Sequence, residues 1–182
     1  MTRLYLVRHG RAAAAWDADY DPGLDDTGRA EAEKTARGLA SLGPLEIISS
    51  PLARARQTAM PLADRWGVSV RIEERVGEIP SPVNDLKARG EWFGDLVGKN
   101  WSALPRDLHA WRKGVIDALL SLDRETVVFS HFIAINVAVG VATEDDRVVS
   151  FWPGNGSVTV VEIDNGALAL IQRGSQGETE LL

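Results

Sequence analysis

Short runs of apolar, strand-forming residues alternate along this chain with segments of helical length, and that alternation restricts the possible folds more than any other feature. Residues 2–7 (TRLYLV) form the first such run and stop at Arg8-His9-Gly10. Residues 24–42 carry a helix signature, with Asp25, Asp26 and Thr27 as cap candidates, Ala36, Leu39 and Ala40 among the apolar positions, and Gly43-Pro44 as the stop. A second strand at 45–48 closes at Ser49-Ser50, and Pro51 suits the first turn of a helix running to Trp66 that Pro61 should kink or divide. Residues 68–72 alternate as a third strand, while 73–104, with Ile79-Pro80-Ser81-Pro82, read as loops with one short helix near 84–89. A helix over 106–122 places Leu108, Trp111, Val115, Leu119 and Leu122 near one face. A strand at 126–129, a buried helix at 133–141 and a strand at 157–163 follow, and Asn165-Gly166 turns the chain into 167–171. This order implies an α/β fold of three layers, α/β/α, around a mainly parallel central sheet. A length of 182 residues suits a single domain.

Composition narrows the chemistry. Twenty Lys and Arg against 26 Asp and Glu give a net charge of -6, which argues against nucleic acid or an anionic membrane surface as partner. Cysteine is absent, so disulfides, thiolate nucleophiles and Cys-ligated metals are excluded, and imidazole chemistry must use His9, His109 or His131. The longest apolar stretch, 132–142, is interrupted by Asn136 and falls short of the ~18 residues of a membrane span. No leader is visible before Arg8, and a cytoplasmic location is expected.

Ligands of open α/β sheets bind beyond the carboxyl ends of the strands. His9 follows the first strand and His131 the strand at 126–130, whereas His109 falls inside an amphipathic helix and reads as a packed or solvated side chain. Arg8 adjoins His9, and Arg54 falls in a first helical turn, where free N–H groups already favour an anion. Such a cationic cluster suits phosphate, whose oxygens match guanidinium forks, although each residue singly could be a paired Arg or a satisfied loop His. The acidic segment 17–23 reads as an exposed loop: Pro22 stands where a calcium loop needs Gly, and Gly28 where it needs Glu. Trp92, Phe93, Trp101, Phe151 and Trp152 suit either a pocket wall or the core. Arg11, Lys87, Arg89 and Lys99 could read further anionic groups or solvate the surface.

Leu6-Val7-Arg8-His9-Gly10, then Ser49-Ser50-Pro51-Leu52-Ala53-Arg54-Ala55-Arg56-Gln57-Thr58-Ala59, then Val127-Val128-Phe129-Ser130-His131 resemble, in this order, the motifs of the histidine phosphatase superfamily, also called phosphoglycerate mutase-like. The resemblance runs over nearly the whole chain and implies one histidine phosphatase domain over 1–182. It implies that His9 attacks phosphorus to form a phosphohistidine that water hydrolyses, that Arg8, Arg54 and His131 hold the phosphoryl oxygens, and that neither metal nor cofactor is needed. Many members take the leaving-group proton from a carboxyl group between the second and third motifs; Glu78 is the choice here, with Glu73 and Glu74 as competitors. Arg11-Ala12 after Gly10 is similar to the small phosphohistidine-phosphatase branch, and Phe132, where Gly is common, should make the pocket beside His131 narrower or more apolar. The implied activity is a metal-independent phosphatase acting on a phosphorylated small molecule or a phosphohistidine protein. A phosphoglycerate-type mutase and a non-catalytic phosphate- or phosphoprotein-binding module are the alternatives.

Overall fold

The computed structural model describes residues 1–177. β1 (Thr2–Arg8), β2 (Glu46–Ser49), β3 (Val70–Ile72), β4 (Thr126–Ser130), β5 (Val158–Asp164) and β6 (Ala167–Gln172) form one sheet in the order β3-β2-β4-β1-β5-β6. The first four strands in chain order pair in parallel, and β5 and β6 extend the sheet antiparallel beside β1. Successive side chains of a strand point to opposite faces. Accordingly Leu4, Leu6, Ile48 and Val128 pack into one core, and Tyr5, Val7, Ile47, Val127 and Phe129 into the other.

α1 (Asp26–Leu39) and α2 (Ala53–Trp66) cover the second core with Ala36, Leu39, Ala59 and Leu62. α3 (Leu86–Val97), α4 (Arg106–Leu120) and α5 (Phe132–Ala142) cover the first, which completes the three layers. α5 is apolar all round because it is buried all round. Its Asn136 is satisfied: Nδ2 donates to Phe132 O, and Oδ1 accepts from Ser150 and Phe151 N. Asn165 and Gly166 take φ of 49° and 79°, the positive values a tight hairpin turn requires.

Three local expectations need correction. Pro61 neither divides α2 nor ends it, since the buried row Ala55, Ala59, Leu62 and Ala63 holds the helix to the sheet while Pro61 lies on its partly exposed side. α2 begins at Ala53, so Pro51 precedes the first turn, and Arg54 still lies inside it. The segment after β3 holds a helix longer than expected: Asp85 caps α3 by accepting from Ala88 N, and burial of Phe93 and Leu96 carries it through Gly90 and Gly94.

The parallel strand ends are joined by backbone bonds beyond the ladders. His9 N donates to Ser130 O (3.1 Å), Ser50 N to Phe129 O (3.0 Å), Glu73 N to Ser49 O (2.9 Å) and Gly156 N to Arg8 O (3.0 Å). The residues that follow β1, β2, β3 and β4 are thereby fixed at one edge. No helix of the described residues is long and apolar enough to cross a membrane.

Candidate active site

At that edge the structure gathers Arg8, His9, Arg54, Glu78 and His131. His9 Nδ1 lies 2.7 Å from the carbonyl oxygen of Gly10. A carbonyl only accepts, so Nδ1 bears the proton and Nε2 the lone pair. Arg54 donates its Nε–H to that Nε2 at 3.2 Å. Burial, with the charges of Arg54 and Arg8, holds the His9 pKa well below the usual value, so the ring is neutral at neutral pH.

Gly10 has a steric reason. A Cβ there would stand 2.4 Å from Gly28 O, at the start of α1. Its N–H donates to Thr58 Oγ1 (3.0 Å), whose hydroxyl donates to Arg54 O (2.7 Å), so one α2 side chain ties the loop after His9 to the turn carrying Arg54.

Both arginines are buried, Arg8 to 7% exposure and Arg54 to 6%. Arg8 Nη1 donates to Pro153 O (2.7 Å), its guanidinium sits 5.1 Å from the Phe132 ring centroid, and burial lowers its pKa to about 10. Burial also lowers the pKa of Arg54, whose Nη1 lies 3.9 Å from Asp21 Oδ1. Desolvated cations of this kind favour an incoming anion.

Glu78 is partly buried, and its carboxylate accepts from Ile79 N (3.0 Å) and from Ile133 N in the first turn of α5 (3.2 and 3.3 Å). Burial raises its pKa despite those bonds and the nearby Arg54 and Arg8. Glu73 instead accepts from Arg75 at 2.8 Å, which holds its pKa down, and Glu74 is exposed. His131 is fully buried, its ring centroid 5.1 Å from that of His9 and its Nε2 2.7 Å from Ser50 Oγ. His109 lies in α4, edge-on to Trp101, away from this cluster.

A cavity of about 500 Å³ opens at the cluster, with Arg8, His9, Arg54 and Glu78 on its wall and His131 off it. Phe93 and Phe132 supply apolar wall, whereas Trp101 is a core residue and Trp92 and Trp152 pack partly buried against that core. The loop after His9 contributes Trp16, Asp19 and Tyr20, so the acidic segment is more than a solvated loop. Asp21 pins it by accepting from Ala53 N (2.8 Å) at the start of α2. Of the four scattered cations, Arg11 and Arg89 line the cavity; Lys99 pairs with Asp95 and Lys87 is exposed. Sequence reasoning missed Ser50, Thr58, Trp16, Tyr20 and Asn155; only Ser50, directly after a strand in the second motif, carried a local signal.

The sequence model of the histidine phosphatase superfamily (branch 1) matches residues 4–175. The chain belongs to that family. Among curated proteins, the chain is 30% identical over 121 residues to a probable phosphoglycerate mutase of Erwinia tasmaniensis, covering 64% of this chain and 51% of that protein. It is 36% identical over 114 residues to a glucosyl-3-phosphoglycerate phosphatase of Mycolicibacterium vanbaalenii, covering 60% of this chain and 47% of that one. The matches therefore span about half the length of these relatives. Among solved structures, a mycobacterial glucosyl-3-phosphoglycerate phosphatase complexed with VO3 superposes with a TM-score of 0.72 at 24% identity, over 97% of this chain and 100% of that one. A phosphoserine phosphatase of Entamoeba histolytica in complex with phosphoserine superposes with a TM-score of 0.75 at 22% identity, over 96% and 98%. These likenesses establish the phosphoglycerate mutase-like fold of the chain.

Proposed function

We propose that the protein is a phosphatase that hydrolyses a phosphomonoester, or a phosphohistidine, through a phosphohistidine on His9. The observation that carries this reading is the tautomer of His9: Nδ1 is committed to Gly10 O, and an unprotonated Nε2 faces Arg54 in the cationic pocket. Neutral imidazole is a competent nucleophile, and a covalent intermediate splits one difficult displacement into two easier ones.

Arg8 and Arg54 hold the phosphoryl oxygens, and Arg54 shifts its donor from Nε2 to an oxygen as phosphate enters. Each unit charge about 4 Å from the phosphoryl group contributes on the order of 4 kcal/mol at an effective dielectric near 20, before desolvation. His131 completes the cluster, its Nε2 held 2.7 Å from Ser50 Oγ. Glu78, its pKa raised by burial, gives its proton to the leaving oxygen and then takes one from the water that releases phosphate. Arg8, Arg54 and His131 supply the charge and hydrogen bonds a metal would otherwise provide. The names of the relatives support a phosphorylated small molecule as substrate. Location in the cytoplasm belongs to the same reading.

The test is hydrolysis of an activated aryl phosphate in excess chelator, with the acid-quenched protein analysed for phosphohistidine. Turnover in chelator and a phosphoryl group on His9 are expected. Loss of turnover on chelation overturns metal independence, and full activity in His9→Ala overturns the nucleophile.

A further inference from the structure

Thr58 stands four residues after Arg54, one turn further along the same face of α2. Its side chain is fully buried and lies behind the cavity wall, where no substrate reaches it. A hydroxyl has one proton and two lone pairs, and Thr58 commits the proton to Arg54 O at 2.7 Å. A lone pair is then left to accept Gly10 N–H at 3.0 Å. Gly10 in turn holds His9 Nδ1–H on its carbonyl at 2.7 Å, and Arg54 returns its Nε–H to His9 Nε2 at 3.2 Å. The four bonds close a circuit that contains both nitrogens of the imidazole. Gly28 O closes off the other side of Gly10, 2.4 Å from where a Cβ would stand, so the loop has Thr58 in front of it and backbone behind.

The circuit has one bond that the reaction must break. When Arg54 turns its donor to a phosphoryl oxygen, Nε2 is released, and only the three bonds through Thr58 and Gly10 still orient the ring. Attack on phosphorus needs that lone pair in line, and a displacement of about 1 Å can cost on the order of 100-fold in rate. We propose that Thr58 is a positioning residue, which keeps Nε2 of His9 aimed at phosphorus after Arg54 lets go of it. The proposal rests on the phosphohistidine reading above.

The test compares Thr58→Val, which keeps the shape and deletes both bonds, with Thr58→Ser, which keeps the hydroxyl and loses a buried methyl. Thr58→Val should lower kcat on an aryl phosphate by roughly 10- to 100-fold with KM changed less than about threefold, and Thr58→Ser should stay within about threefold of the wild type. Thr58→Ala, a second variant without the hydroxyl, should follow Thr58→Val. A role confined to packing predicts the reverse order, because serine leaves a void and valine does not. Binding of orthovanadate and of inorganic phosphate is titrated on the same preparations by tryptophan fluorescence. Vanadium takes the imidazole lone pair as a fifth ligand, whereas inorganic phosphate needs only the arginines. The ratio of the two dissociation constants does not depend on the fraction of variant that folds. Thr58→Val should reduce the preference for vanadate by roughly tenfold and Thr58→Ser should preserve it. An unchanged ratio in Thr58→Val, or a serine variant no better than valine, overturns the proposal. If the wild type turns over no phosphate ester, the reaction reading fails while the vanadate-to-phosphate ratio still decides Thr58.

Discussion

Arg54 donates its Nε–H to Nε2 of His9 across 3.2 Å, so an arginine restrains the lone pair that the proposed reaction needs. The same contact aligns the ring and disfavours its protonation. Lysine would keep the charge but lose the planar fork. Arg54→Lys should therefore lower kcat/KM on an aryl phosphate by roughly 100-fold while leaving the melting temperature nearly unchanged. A loss below threefold would remove Arg54 from the phosphoryl site.

The low pKa of His9 has a kinetic signature. The nucleophile must be neutral, and burial with Arg54 and Arg8 keeps it so well below the ordinary histidine range. Activity should thus persist on the acid side of pH 6.5 instead of halving there. Glu78 must be protonated, and its raised pKa sets the fall on the alkaline side. A pH–rate profile of kcat/KM reads both limbs, and a midpoint near 6.5 on the acid limb would contradict the assignment.

Glu78→Gln should slow alkyl phosphates by ~10²- to 10⁴-fold and nitrophenyl phosphate by less than about tenfold, because only the poor leaving group needs the proton. Equal losses would assign proton donation elsewhere. Stability moves in a definite direction as well. A carboxyl whose folded pKa is raised binds more protons folded than unfolded between the two values, so its contribution to stability falls as pH rises through that window. Melting curves at pH 5 and pH 8 should accordingly show Glu78→Gln gaining on the wild type at the higher pH.

Ser50 is fully buried, its hydroxyl accepting from Leu52 N and meeting His131 Nε2 at 2.7 Å. Ser50→Ala leaves that nitrogen without its partner, at a cost of about 1–3 kcal/mol in stability. If Ser50 also sets the His131 tautomer, kcat falls more than KM changes. Urea unfolding and steady-state kinetics on the same preparation separate the two effects.

Legibility in the sequence tracked how local the cause was. β1, β2 and β4 could be read because each is a short apolar run that ends at a motif, and the hairpin because Asn165-Gly166 is a local backbone demand. α3 was underestimated because Gly90 and Gly94 lower helix propensity, while what sustains it is burial of Phe93 and Leu96 against distant residues. The loop bearing Trp16 and Tyr20 reads as solvated acid because its place depends on Asp21 reaching Ala53 N, a contact across the chain. Arg8, His9, Arg54, Glu78 and His131 were legible through motif order. Thr58, which ties the loop after His9 to α2, differs in no local way from other hydroxyl residues, and Ser50 is marked only by its place directly after β2.

Pro61 offers a direct check on that competition. It removes one helical donor and deprives Gln57 O of its partner, yet α2 continues through it. Pro61→Ala should raise stability by roughly 2 kcal/mol, the helix gain less the loss of unfolded-state restriction. Equilibrium urea denaturation measures it, and a destabilised variant would mean that proline geometry is built into α2.

The hydrogen bonds from His9 N to Ser130 O, from Ser50 N to Phe129 O and from Gly156 N to Arg8 O have a kinetic corollary. The first strand, the middle of the chain and the loop before β5 each hold only part of the constellation, so no contiguous fragment can assemble it. Contacts between such distant segments form late, after loop-closure entropy has been paid. During refolding, recovery of turnover therefore reports closure of the complete sheet, and it cannot precede the burial of Leu6 and Phe129 that a spectroscopic probe of collapse would see first.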